Sequence, residues 1–415
     1  MMRELVSTAP AICLCAALSF SAERACLNAV DYADPAYGGR VRQLLKADGH
    51  EHNLYYDRNP WNADATRMLG VQSNLEQKNW RLVLYDGDGC FLRELFGIDR
   101  YDWRLAWDRR DPGTLYTWRG SNLYSYNVTA GSAKLLKSFA PLGLNPNGPS
   151  LNQSGDRILV VTSDKVFHSY RLPDMSEERS FAPELPAGCG VSWDKPRYIG
   201  YKSYLFVSCN TADMSEVHTY IYEDSGRLLH RFDGISAGHT DFSPDGKWAY
   251  FKMSGISRGV AAPLEIHVVN IDGTDDRTLL SIPQREARYV HNLHLAWPSR
   301  VSSWFIASFF PSADNLPASY APPLDEVVLI RLDGTRTFLA RTGTAYSSAG
   351  RRSGTGQDTF WAQPLARPSA DGRRISFNSN RSGTIDQFVL FVDDGQINPA
   401  AGVKDTVPPA PRRQP

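Results

Sequence analysis

The stretch Gly238-His239-Thr240-Asp241-Phe242-Ser243-Pro244-Asp245-Gly246-Lys247-Trp248-Ala249-Tyr250-Phe251 constrains this chain more than any other. Proline presets φ and glycine accepts a positive one, so Ser243 to Lys247 reads as a tight turn between two apolar, aromatic-rich strands. Weaker copies recur as Trp61 to Arg67, Ser154-Gly155-Asp156-Arg157 and Pro368 to Arg374. Between them stand Asp86-Gly87, Asp272-Gly273 and Asp333-Gly334, which read as hairpin turns and lack the spacing of a calcium loop. A four-strand unit repeated along a chain is the signature of a β-propeller.

Marking strands by these turns gives blades over about 50–96, 102–139, 147–181, 189–232, 238–282 and 290–341, with a last blade starting near Gln363. Val191-Ser192-Trp193 reads as the inner strand of the fourth. The last blade supplies only three strands, and Val41 to Leu45 is left without a partner. Donating that segment closes the ring without an exposed sheet edge. The expected fold is therefore all-β, a seven-bladed propeller closed by an N-terminal strand, spanning 41–394. Residues 395–415, rich in proline, read as a disordered tail, and Ala313 to Pro323 as a long loop and lid.

Residues 1 to about 22 have the plan of a secretory signal: Arg3, an apolar run from Ala9 to Phe20, then small residues. No stretch is long enough to span a bilayer, so the chain reads as exported, periplasmic or extracellular. With 45 basic and 45 acidic residues, it has no polyanion-coating surface, and nucleic acid is not an expected partner. Beyond the signal lie Cys26, Cys90, Cys189 and Cys209. Cys189 and Cys209 share a blade and are the expected disulfide, with buried free thiols as the alternative.

In a propeller the inner strands start at one end of a central channel, so polar residues there converge from distant sequence positions. Those starts carry His50, His52 and Asn53; Asp102, Trp103 and Arg104; Asn145 and Asn147; His239 and Asp241; His291, Asn292 and His294; and Gln363 with Arg367. Five of the nine histidines fall in this set, which random placement would rarely produce. Asp241 reads as a partner for backbone amides, and His168, His218, His230 and His267 read as structural. Two chemistries suit the ring. Histidines with Gln363 could hold a divalent metal, manganese or calcium, with His294, His291 and Gln363 as candidate ligands. Without a metal, a neutral histidine beside an arginine could remove a proton α to a carboxylate, the guanidinium holding that carboxylate. The candidate catalytic residues are His239, Arg104 and Arg367. His50, His52, Asn53, Tyr55, Trp103 and Asn292 are candidates for binding substrate, the aromatic rings being suited to stacking on sugars.

The Ser-Pro-Asp-Gly-Lys turn and Pro368 to Arg374 resemble the repeats of TolB-type propellers. More specifically, His52-Asn53-Leu54-Tyr55-Tyr56 with Asn59-Pro60, then Gly238-His239, then His294 with Trp297, resemble in type and order the landmarks of the oligogalacturonate lyase family of seven-bladed propellers. The resemblance implies His239 as catalytic base and His294 as a metal ligand. Where that family continues from a glutamine to a His-Pro-His segment, this chain has Gln363-Pro364-Leu365-Ala366-Arg367. Ulvan lyases, similar in architecture, work with His, Tyr and Arg and no catalytic metal. The expected function is β-elimination of an acidic oligosaccharide or polysaccharide. The alternatives are a non-catalytic envelope propeller binding a glycan or protein partner, and a metal-dependent hydrolase on the same rim.

Overall fold

A computed structural model describes residues 26, 29–44, 49–98, 105–143, 150–185, 196–200, 204–210, 217–235, 238–253, 263–311, 323–344 and 359–398. The chain is a β-propeller. Its antiparallel sheets run over Gly49–Gly97, Leu105–Ser138, Ser150–Phe181, Arg197–Asp233, Asp241–Ile282 and Val290–Arg341, each four-stranded. The closing sheet joins Arg367–Pro368, Arg374–Ser379 and Asp386–Phe391 to Arg40–Gln43, with Val30–Ala33 beyond it.

Six sheets, not seven, are thus regular four-stranded blades, and the closing sheet has five strands. The expected donated strand is present as Arg40–Gln43, paired with Phe388 to Phe391. The fifth strand arises because the stretch before it, read as a loop, doubles back. The Asp34 carboxylate accepts the amides of Ala36 and Tyr37 at 3.0 and 2.9 Å, closing a turn that lets Asp31 pair with Arg40 and Arg42.

What repeats is a hydrogen-bond pattern more than a sequence. In Ser243 to Lys247 the serine hydroxyl accepts the Lys247 amide at 2.7 Å, and Gly246, at φ 87°, donates its amide to the Ser243 carbonyl. Ser369 and Gly372 repeat this in the closing sheet. In the degenerate turn of the first blade Asn62 takes the serine's part and Ala65 the glycine's, at φ 57°. The chain forces a left-handed alanine to keep the turn.

Between sheets the core is apolar on both faces. Strand Trp304–Pro311 is buried at all eight positions, and Ile266, Val268, Leu293, Leu295 and Phe305 belong to one cluster shared by the fifth and sixth blades. The inner strands Ser150–Leu151 and Arg197–Ile199 pack on each other, as do Asp241–Phe242 and Val290–Ala296, which turns their side chains toward one channel.

Two further expectations change, and one feature is added. A disulfide joins Cys26 and Cys90, with Cα atoms 4.9 Å apart, and ties the segment ahead of the closing strands to the first blade; Cys189 of the expected Cys189–Cys209 pair lies outside the described residues. The fourth blade's inner strand is Arg197–Ile199, paired with Tyr204 to Phe206, and residues 191–193 lie outside the described residues. The end of the chain is ordered past 394: Asp393 caps helix Asp394–Ile397, and Arg331 donates to the carbonyls of Gln396 and Ile397. The signal segment, residues 312–322 of the insert and residues 399–415 lie outside the described residues. Among the described residues no helix is long and apolar enough to cross a membrane.

Candidate functional site

His239 precedes the inner strand Asp241–Phe242 and His294 sits within Val290–Ala296, and the two rings stack with centroids 4.2 Å apart at 29°. The backbone makes this contact. His239 holds a left-handed φ of 64°, a conformation costly for a residue with a Cβ, and its carbonyl accepts the Leu295 amide at 2.9 Å. The strained residue is thereby pinned beside the neighbouring blade at His294.

Aromatic rings wall the pair. Tyr56 lies 4.8 Å from His294 and 6.0 Å from His239, Tyr55 lies 6.0 Å from His294, and Phe310 stacks on its other side at 5.6 Å. Tyr55 too has a positive φ, 136°. Two adjacent inner strands and the segment after Gly49–His52 thus hold two imidazoles together in an aromatic setting.

The other expected residues divide. His50, His52 and Asn53, expected to bind substrate, are 2%, 1% and 0% exposed and knit the first blade to the closing sheet. His50 accepts the Ile385 amide at Nδ1 and donates from Nε2 to Leu75. Asn53 donates to the Leu365 carbonyl and takes its own backbone partner from Asn378. His52 stacks on Trp361 at 3.7 Å. Their polarity serves a seam, so they offer a ligand no surface. Tyr55 joins the histidine pair. Asn292 turns its side-chain oxygen onto the Leu293 amide, and His291 lies 5.7 Å from the Phe310 ring. Trp103 and Arg104, with Asp102, Asn145 and Asn147, lie outside the described residues. The four histidines read as structural include His168, His218 and His267, each against a carboxylate at 2.7 to 3.1 Å.

Arg367 is committed to other partners. It is 8% exposed, donates to Asp241 at 2.5 Å and to the Tyr56 carbonyl at 3.1 Å, and borders a cavity at the other end of the channel. Asp241 meets its expected role by accepting the Trp297 amide at 2.8 Å, and also pairs with Arg197 at 3.3 Å. The reading from sequence missed Arg58 and Arg109, because it tallied where inner strands begin and these residues follow them, and it missed Arg197 because it placed the fourth blade's inner strand at Val191 to Trp193 and not at Arg197–Ile199. The signal was legible as arginines beside Trp107-Asp108 and Pro196.

The fold is shared with oligogalacturonate lyases. One solved in complex with manganese matches with a TM-score of 0.65 at 14% identity, over 89% of this chain and 97% of that one. An oligogalacturonate lyase from Vibrio parahaemolyticus matches at 0.62 and 10% identity, over 89% of this chain and 98% of that one. TolB from Acinetobacter baumannii is more distant, with a TM-score of 0.38 at 15% identity over 72% and 62% of the two chains. At these identities the likeness is one of fold. No protein-family model matches the sequence, and no curated protein matches it.

A manganese or calcium ion fits the described residues poorly. Among them no three His, Cys, Asp or Glu side chains converge as a metal centre. The available donors are His294, His239 and the neutral amide of Gln363, whose buried Oε1 has no hydrogen-bond partner among the described residues. Hard cations of this kind favour carboxylate and carbonyl oxygens, and none of the nearby carboxylates is uncommitted: Asp241 is held by two arginines and an amide.

Proposed function

We propose that this chain is a lyase-like propeller acting on oligosaccharides that contain uronic acid, with β-elimination as its reaction. The observation that carries the reading is the His239–His294 pair, held by a strained backbone in an aromatic wall, in a chain that shares its fold with oligogalacturonate lyases over nearly their whole length. His239 is the base that removes the C5 proton, α to the sugar carboxylate. The electron pair forms the C4–C5 double bond as the C4–O bond breaks, and the departing glycan oxygen takes up a proton. His294, stacked behind it, fixes the ring's plane, and Tyr55 and Tyr56 complete the wall.

Carbanion-like charge at C5 spreads onto the carboxylate, and a guanidinium there stabilises it. Arg367 is engaged by Asp241, which leaves Arg104 as the proposed clamp. It precedes the inner strand Leu105–Trp107 as His239 precedes its own. The Cys26–Cys90 disulfide supports an exported protein, since such bonds persist in oxidising compartments.

The test is ultraviolet absorbance from unsaturated uronate on incubating the protein with oligogalacturonides, ulvan and related glycans, with and without added manganese. Signal in the wild type that disappears in His239→Ala supports the reading. A second reading, a propeller that binds a glycan without cleaving it, is favoured by the complete burial of His294. A flat trace with saturable glycan binding would select it.

A further inference from the structure

In blades two to six and the closing sheet, one cavity of about 300 Å³ is lined by the inner strand or by the turn that follows it: Arg109 and Gln153, Arg197 and Ile199, Asp241 to Pro244, Ser299 and Arg300, Arg367 and Ala370. The cavity takes in neither His239 nor His294. His239 precedes its strand, whereas Arg109, Gln153, Pro244, Ser299, Arg300 and Ala370 follow theirs, so the cavity opens toward the opposite end of the channel.

Its ionised lining is five arginines, Arg58, Arg109, Arg197, Arg300 and Arg367, against three aspartates, Asp57, Asp108 and Asp241, a surplus of two positive charges. The aspartates are committed. Asp57 pairs with Arg197 at 3.1 Å and faces Arg58 at 3.9 Å, and Asp241 bridges Arg197 and Arg367. Asp108 accepts the Tyr116 hydroxyl at 2.6 Å and the amides of Arg110 and Asp111. Arg109 and Arg300 carry no ion pair among the described residues; one donates to the Gln153 amide oxygen at 2.5 Å and the other to the Ala63 carbonyl at 2.8 Å. The Nε–H of Arg367 is buried with no acceptor among the described residues.

This crowding of cations is unfavourable without a counter-charge. Arg109 reaches solvent but is enclosed by protein on most sides, and that enclosure, then the like charge of Arg367, pushes its guanidinium down to about 10. Burial lowers Arg58 likewise, with Arg197 and Arg367 adding to the effect against Asp57. Guanidinium forks match the paired oxygens of carboxylate and phosphate.

We infer that this cavity is a binding site for a small oxyanion of two or more negative charges, a phosphorylated or polycarboxylated molecule, held chiefly by Arg109, Arg300 and the free edge of Arg367. It is separate from the histidine end and does not depend on the lyase reading, because binding is measured without turnover.

The experiment is titration calorimetry of the full chain with inorganic phosphate, citrate and monomeric galacturonate at constant ionic strength, with thermal melting alongside. Phosphate or citrate should bind saturably at one site per chain and raise the melting temperature, with galacturonate weaker. A preference for phosphate assigns a phosphate ester and a preference for citrate a polycarboxylate. Arg109→Gln and Arg300→Gln, both at solvent-accessible positions, should each weaken binding about tenfold or more, as loss of a charge-assisted hydrogen bond requires, and His239→Ala should leave it unchanged. No saturable heat from any oxyanion, undiminished binding in the Arg109→Gln, Arg300→Gln double variant, or loss of binding in His239→Ala would each overturn the assignment.

Discussion

The two ends of the channel are built from the same repeat and differ in what their residues do for each other. At the histidine end, the described imidazoles are set among aromatic rings, and the backbone supplies the order: two residues at positive φ, His239 and Tyr55, and one carbonyl bonded across to Leu295. At the arginine end the order is electrostatic, an alternating row of Arg58, Asp57, Arg197, Asp241 and Arg367. The first arrangement suits a site where one proton moves in a fixed geometry. The second suits holding charge.

If the ends are functionally separate, single substitutions should separate them. The largest effect is expected from His239→Ala, which should reduce elimination by about 10²–10⁴-fold, the usual worth of a positioned base, while oxyanion binding stays intact. Kinetics and calorimetry on one preparation check both halves. Asp241→Ala should instead damage both ends. It strands Arg197 and Arg367 without their shared carboxylate and takes the acceptor from the Trp297 amide, three residues beyond His294. Removing one partner of a buried pair costs about 3–5 kcal/mol, which a urea titration would read as a lowered midpoint. Unchanged stability would mean that the row is a solvated surface feature.

The fold was legible because turn chemistry and strand alternation are local: Ser243-Pro244-Asp245-Gly246 states its own conformation. The fifth strand of the closing sheet was not, because Val30–Ala33 becomes a strand only when Asp34 caps the turn that returns it. The histidine pair was visible since His239 stands just before one inner strand and His294 lies within the next. His50, His52 and Asn53 looked equivalent from position alone, yet their rings and amides face a seam, and no sequence period says which way a side chain turns at the start of a short strand. The arginine end was passed over because each arginine, taken singly, resembles an ordinary surface charge. Only closure of the ring makes them neighbours.

A pH profile of the histidine end can be assigned only after the pH dependence of folding itself is known, and Glu51 contributes to that. It is buried where Gly70 leaves room between the first blade and Gln387, and it accepts from Tyr85 at 2.5 Å and Gln72 at 3.3 Å. Burial raises its carboxyl to about 8, against the opposing effect of those two hydrogen bonds. A folded-state value above the unfolded one means that the native state holds the extra proton. The stabilisation is complete below about 4.5 and is lost as pH rises toward 8, on the order of 5 kcal/mol in all. Asp386, also raised by burial, adds the same sign at lower pH. His50, lowered by burial, opposes it, losing stability as pH falls below its ordinary range. Urea titrations at several pH values should show the decline in the wild type and a flatter dependence in Glu51→Gln. An identical slope in both would place the proton elsewhere.

The smallest effect concerns what holds the ends in register. The closing sheet delivers Arg367 to the arginine end, and its outer strands are tied to the first blade by Cys26–Cys90, across 64 residues of sequence. Cys26→Ser should lower stability by roughly 2–3 kcal/mol, less than the chain-entropy limit for so long a loop, because Arg42 still reaches the Asp88 carbonyl and Arg374 still pairs with Asp88. Those contacts predict that the reduced protein keeps its closed ring. Oxyanion affinity in Cys26→Ser should then match the wild type at temperatures well below melting. A loss of affinity without unfolding would show that the clasp positions Arg367, and that the two ends answer to the same seam.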